Sequence, residues 1–175
     1  MIYINTPRLT LRDWKSEDLA PFRHMNNDPE VMRYFPNTLT SQETNKFYEV
    51  IQQEIHDHGY GLYAVVTNDT NEFIGFIGFH RATFEADFNP CVEIGFRLKK
   101  EAWGKGFATE GARACLEYGF AELGFNKIYS FTAKINAPSQ NVMKKIGLQF
   151  EREFNHPNVD PESKLYRHVL YKTER

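Results

Sequence analysis

Glu93-Ile94-Gly95-Phe96-Arg97-Leu98, a short linker, and then Trp103-Gly104-Lys105-Gly106-Phe107-Ala108-Thr109-Glu110 decide how this 175-residue chain folds. The first six residues read as a strand, and the last few open a helix. Between them, Gly104 and Gly106 make a small-residue turn able to take backbone angles that other residues avoid. Such a turn leaves the first N–H groups of the helix unpaired and turns the positive end of its dipole outward. An anion suits that place, and phosphate or pyrophosphate is its natural occupant. The spacing is not that of a nucleotide-hydrolase loop, because Gly-x-x-x-x-Gly-Lys-Ser/Thr is absent. Nor is it Gly-x-Gly-x-x-Gly, because Thr109 fills the last position. A lone Gly-x-Gly also occurs in plain tight turns, so the surrounding elements must decide.

Outward from this segment the pattern is regular. Residues 62–67, 73–83 and 91–98 read as three strands, with Asn68-Asp69-Thr70-Asn71 as a turn between the first two. A helix over about 108–123 is stopped by Gly124. A strand over 127–134 follows, then a short helix over 138–146 ended by Gly147. Two strands, 148–155 and 165–173, flank a loop holding Pro157 and Pro161. Near the start, residues 8–14 alternate polar and apolar side chains, as a half-buried strand does. Ser16 reads as an N-cap, with Glu17 and Asp18 in the first turn of a helix running toward Met25. Asn26-Asn27-Asp28-Pro29 breaks it. Thr40 to Glu43 caps a second helix that reaches about His58, with Phe47, Val50, Ile51 and Ile55 at helical spacing. The expectation is a mixed α/β fold of seven strands and four helices in a single domain, residues 1–175. The early strands pair antiparallel, and the helical crossover between the fourth and fifth strands makes that pair parallel.

Composition narrows the function classes. A chain of this length buries roughly 70% of its unfolded surface, enough for one hydrophobic core. With 21 basic and 23 acidic residues the formal charge is −2, which supports neither a nucleic-acid binder nor a polybasic membrane anchor. Residues 1–60 hold 6 basic and 9 acidic residues, and residues 101–150 hold 6 and 4. That split suits a cationic partner on one side and an anionic one on the other, or is ordinary scatter. No run of 18 apolar residues occurs and no signal peptide is read at the start. Two cysteines, Cys91 and Cys115, make no framework of bridges, and a cytoplasmic location is expected. Aromatic residues are 15% of the chain, which points to a large core or an aromatic-lined pocket.

The context settles the glycine turn. Trp103-Gly104-Lys105-Gly106-Phe107-Ala108-Thr109-Glu110 after a Glu-Ile-Gly-Phe strand resembles the acetyl-CoA loop of the GNAT superfamily of N-acetyltransferases. Asn136-Ala137-Pro138-Ser139, followed by a helix ending in Lys145-Ile146-Gly147-Leu148, is similar to the family's second cofactor segment. The stretches Thr6 to Arg12 and Asp28 to Tyr34 look like the opening of the ribosomal-protein N-terminal (alanine and serine) acetyltransferase branch. The resemblance implies a GNAT fold, with a central, mostly antiparallel sheet whose fourth and fifth strands splay apart. It implies acetyl-CoA as co-substrate and no metal. The pyrophosphate would lie on Gly104, Lys105, Gly106, Phe107, Ala108 and Thr109 beside Trp103, and the pantetheine arm would pair with strand backbone near Phe96 and Leu98. Asn136, Ser139, Asn141 and Lys144 would complete the cofactor side. The partner would be an amine: a protein N-terminus, or a small amine such as a polyamine, amino acid or antibiotic. A homodimer and a monomer both stay open.

Direct attack on a thioester needs a neutral amine. At pH 7 a lysine-type amine of pKa about 10.4 is roughly 0.04% neutral, whereas an α-amine near 7.8 is on the order of 10% neutral. Glu93 matches the strand position where GNAT members place a glutamate base, and its competing reading is a solvent-facing or structurally paired carboxylate. Ser139 matches the serine proposed to protonate the departing thiolate, and its competing reading is a helix cap. Asn136 and Asn141 could equally satisfy turn backbone. Cys115 falls on an apolar helix stripe and reads as packing. His80 and His168 line an acceptor pocket or serve structure, and Trp14, Phe22, Tyr34, Phe35, Phe79 and Phe84 divide between pocket and core. Two further readings remain: a non-catalytic acyl-CoA-binding module and a generic phosphate binder.

Overall fold

The computed structural model describes all 175 residues. In chain order its elements are β1 (Ile2–Asn5), β2 (Leu9–Arg12), a single 3-10 turn (Ser16–Asp18), α1 (Leu19–Asn26), α2 (Ser41–His58), β3 (Leu62–Thr67), β4 (Phe73–Ala82) and β5 (Cys91–Leu98). After them come a second 3-10 turn (Lys100–Ala102), α3 (Phe107–Ala121), β6 (Lys127–Ala133), α4 (Ala137–Lys145), β7 (Gln149–Asn155) and β8 (Arg167–Glu174). One eight-stranded sheet runs in the order β1-β2-β3-β4-β5-β6-β8-β7. Every neighbouring pair is antiparallel except β5 and β6.

Eight strands replace the seven expected. The additional one is β1, a four-residue edge strand whose register on β2 is broken between Ile2 and Ile4. Its run of three apolar residues carries no alternation to read. The first helix is also corrected. Ser16 does not cap it; Asp18 accepts the Lys15 N–H at 2.8 Å, and the α-helix proper begins at Leu19. Asp18 turns inward because Arg12 claims both its oxygens, at 2.8 and 3.0 Å. Helix α3 ends at Ala121, short of Gly124. The second helix starts and stops where its end residues dictate. Thr40 Oγ1 accepts the Glu43 N–H at 3.1 Å, Glu43 Oε1 accepts the Thr40 N–H at 3.0 Å, and Gly59 closes the helix at φ 76°.

The sheet has two covered faces. On one, α3 lays Ala112, Cys115 and Leu116 against Ile77, Phe79 and Ile94. On the other, α1 and α2 bring Phe22, Met25 and Ile51 onto Ala64, Val66, Phe73 and Phe76, together with Trp14. Helix α3 can sit so close because Gly111 has no side chain; a Cβ there would fall 2.4 Å from Ile77 Cδ1.

The parallel pair opens almost at once. Strand β5 is in register with β4 over its whole length, Cys91 to Leu98, but meets β6 at Glu93 and Tyr129 alone. Past that point Ser130 Oγ donates to Ile94 O at 2.9 Å, a side chain standing in for the ladder. Leu98 O, further along, accepts from Trp103 Nε1 at 2.9 Å, while Lys99 N donates to Ile74 O of β4 at 2.8 Å. By the alternation of ladder bonds, the Phe96 peptide groups point into the gap between β5 and β6.

Candidate active site

A cavity of about 780 Å³ runs through this gap, from the start of α3 to the loop joining α1 and α2. Residues 102–104 and 106–109 line one end. Gly104 (φ 72°) and Gly106 (φ 80°) both take the left-handed conformation, which a residue with Cβ would enter only under strain. Gly106 is the N-cap of α3, and no side chain bonds to that end of the helix. The N–H groups of its first turn are therefore left for an outside acceptor. Arg8 holds the loop in shape. Its backbone N and Nε both donate to Glu110, at 2.9 and 2.6 Å, its Nη1 donates to Lys105 O at 2.8 Å, and its guanidinium lies 4.5 Å over the Phe107 ring. These contacts and the Thr6 hydroxyl hold the Glu110 carboxyl below its ordinary range, although burial acts the other way. The donor set, backbone N–H groups at a positive helix end with open space above Gly104, fits a pyrophosphate.

At mid-cavity stands Glu93, opposite His80 in the β4–β5 register. Burial pushes its carboxyl up to about 8, with nearby Glu54 adding to the rise and His80 opposing it. Glu54, from α2, grips the imidazole: both its oxygens lie 3.0 Å from His80 Nδ1, and Oε1 also accepts the Arg81 N–H at 3.0 Å. That hydrogen bond raises the His80 value. His80 thus lines the cavity and is also structurally held.

Opposite, α4 presents Pro138, Ser139, Val142 and Met143. Asn136 caps this helix, accepting the Ser139 N–H at 3.2 Å and donating to Thr132 Oγ1 at 2.9 Å. Its amide is thereby committed to the turn. Ser139 is not the cap, and its hydroxyl makes no hydrogen bond to the protein. At the far wall, burial lowers both His156 and His168, the latter to about 4.

The cavity gathers Glu93, Phe96, Leu98, Trp103, Gly104, Gly106, Phe107, Ala108, Thr109, Asn136 and Ser139. It leaves out Lys105, Asn141 and Lys144, all exposed. Asn141 and Lys144 fall three residues apart on the far side of α4 from Ser139 and Val142, and Lys145 lines the wall instead. Tyr34 and Phe35 border the cavity, whereas Trp14, Phe22 and Phe79 are core and Phe84 packs behind the wall residues Phe131 and His156, edge-on to Phe88 and Phe131 and stacked on Phe154. Two residues carry weight that the sequence did not reveal: Glu54, and Arg97 on β5. Arg97 shares a face with Glu93 and is pressed by burial down to about 10. The signal was present, since two charges four apart in an otherwise apolar strand lie on one face.

Residues 8–149 match the family described as acetyltransferase (GNAT) domain. The chain belongs to the GNAT acetyltransferases. Among GNAT relatives, the uncharacterized protein YkkB of Bacillus subtilis is 33% identical over 165 residues, covering 92% of this chain and 95% of that one. Spermidine N(1)-acetyltransferase of Escherichia coli is 27% identical, over 83% of this chain and 75% of its own. A GNAT-family acetyltransferase structure from Bacillus anthracis superposes with a TM-score of 0.81 at 28% identity, covering 99% and 98% of the two chains. Ribosomal-protein-S5-alanine acetyltransferase of Vibrio fischeri shares the fold at a TM-score of 0.77 and 18% identity, over 99% and 96%.

Proposed function

We propose that this GNAT enzyme carries an acetyl group from acetyl-CoA directly to an α-amine, with Glu93 as base. The observation that carries the reading is the place of Glu93, a half-buried carboxylate lining the cavity at the one register pair of β5 and β6, with its carboxyl raised by desolvation. An α-ammonium near 7.8 needs far less help from a carboxylate base than an alkylammonium near 10.4. Acetyl-CoA supplies the thioester that is attacked. The chain's own groups do the rest. First-turn N–H groups of α3 hold the pyrophosphate, and the Phe96 peptide holds the pantetheine arm. Glu93 takes the proton that the amine loses, directly or through one water. Ser139 Oγ, unbonded and at the cavity wall, is placed to give a proton to the leaving sulfur. Asn136 supports this indirectly, by fixing the first turn of α4.

The acceptor class proposed is a peptide or protein N-terminus. A polyamine is the second reading, favoured by the relation to spermidine N(1)-acetyltransferase. Release of free coenzyme A with peptides starting Ala, Ser or Met, against spermidine, separates the two. Peptide turnover that falls in Glu93→Gln with unchanged acetyl-CoA affinity is the expected result. Absence of turnover with every amine, together with absence of acetyl-CoA binding by calorimetry, overturns the proposal.

A further inference from the structure

We infer that Arg97 is a receptor for a carboxylate on the acceptor, so that the substrate is an amine that also bears an acidic group. The inference rests on the acetyl-transfer reading only for the place of the amine; the anion site is argued from Arg97 itself.

Glu93, Gly95 and Arg97 alternate onto the face of β5 that looks toward α1 and α2, as their register partners His80, Gly78 and Phe76 show. Four strand residues put the Glu93 and Arg97 Cα atoms about 13 Å apart. Gly95 between them leaves the floor open, for a Cβ there would meet only Leu62 Cδ2, at 3.8 Å. The groove between the two charges is therefore smooth enough for an extended chain.

The guanidinium is held without being neutralised. Nη1 donates to Asn26 Oδ1 at 2.8 Å, and Asn26 is fully buried. Phe35 and Phe76 approach it, 4.5 and 5.1 Å from Cζ. No Asp or Glu forms an ion pair with it. Nε is buried with no partner, and Nη2 makes no hydrogen bond to the protein. Nε and Nη2 lie on one edge of the guanidinium, the edge that takes a carboxylate in two parallel bonds. Arg12 is a buried guanidinium paired inside the fold: its Nη1 and Nη2 both donate to Asp18, although its Nε, like that of Arg97, has no partner. At Arg97 no carboxylate of the chain fills that place: Nε is sealed and unpaired, Nη2 has no protein partner, and the residue lines the cavity. Glu30, the acid on the adjoining loop, is engaged by Lys100, and Arg33 from the same loop adds a second positive charge to the wall. A polycation reaching from Glu93 would meet like charges here, whereas a carboxylate would complete the fork.

Two pairs of probes test this and separate its sources. The first is Ala-Ala-Ala as free acid against its C-terminal amide. The second is Ala-Ala-Asp-Ala amide against Ala-Ala-Asn-Ala amide. Wild type should favour the acidic member of at least one pair by about 10- to 100-fold, mostly in KM. The first pair responding marks a terminal carboxylate, the second an acidic side chain. In Arg97→Gln the preference should fall to near unity while acetyl-CoA affinity by calorimetry stays put, and Arg97→Lys should restore only part of it. Thermal melting shows that both variants fold. Peptide binding to the enzyme–coenzyme A complex is measured in parallel. Selective binding of the acidic probe without turnover keeps the anion site and removes the transferase reading. Turnover with equal use of both members of each pair, or preference for spermidine, or loss of acetyl-CoA affinity in Arg97→Gln, overturns the anion site.

Discussion

The proposed base Glu93 costs the fold stability. Its folded-state value near 8 lies above the 4.5 of an unstructured glutamate, so folding favours the protonated form. The stability linked to it is complete below pH 4.5 and is lost as pH rises through 8. Glu93→Gln should therefore melt above wild type at pH 9 and close to it at pH 5, by calorimetric scanning. The same variant should lose about 10²- to 10⁴-fold in kcat/KM. As the proposed base Glu93 acts ionised, so wild-type kcat/KM should climb with pH until about 8 on two ionisations, and the variant should keep only the shallower limb of the α-amine itself. His80 tunes the limb. Its charge, supported by Glu54, favours ionised Glu93. His80→Gln removes that help, and the limb in a pH–rate profile should move to higher pH.

Between elements, the site depends on contacts that bridge distant parts of the chain. Arg8 and Glu110 are 102 residues apart and together brace the turn before α3. Glu110→Gln weakens a partly exposed network, so KM for acetyl-CoA should rise about fivefold with acceptor KM unchanged in steady-state assays. Ser130→Ala leaves Ile94 O without its partner at the point where β5 and β6 part. Chemical denaturation should show a loss of about 1–3 kcal/mol. Such contacts explain what could be read from the sequence. Helix α2 announced both ends through Thr40, Glu43 and Gly59, and the turn at Gly104 and Gly106 announced α3, because caps are local. Strand β1 stayed hidden, since an edge strand of four residues owes its existence to β2 rather than to its own pattern. Glu54 and Arg97 stayed hidden for a related reason. The meaning of Glu54 depends on His80, 26 residues on, and that of Arg97 on Asn26, 71 residues back. Spacing along one element cannot carry either relation.

In the whole molecule, the acidic surplus of residues 1–60 does not collect in the cleft. Asp18 is bound to Arg12, Asp13 to the N-terminal amine at 3.1 Å, and Glu54 to His80. The Arg12–Asp18 pair matters most for holding β2 to the turn before α1, since both partners are buried. Asp18→Ala strands a buried charge and should destabilise by about 3–5 kcal/mol in thermal unfolding. The sheet separates α3, the helix proposed to receive the donor, from α1 and α2, which pack on the face of the proposed acceptor groove, and the two sides meet where β5 and β6 diverge. Neither thiol stands ready as a way-station: Cys115 is sealed beneath α3, and burial pushes Cys91 up to about 12. On the direct transfer proposed above, both reactants must be present together before anything can react, and neither has to leave for the other to enter. Double-reciprocal plots at several fixed donor concentrations should accordingly converge to a common point rather than run parallel.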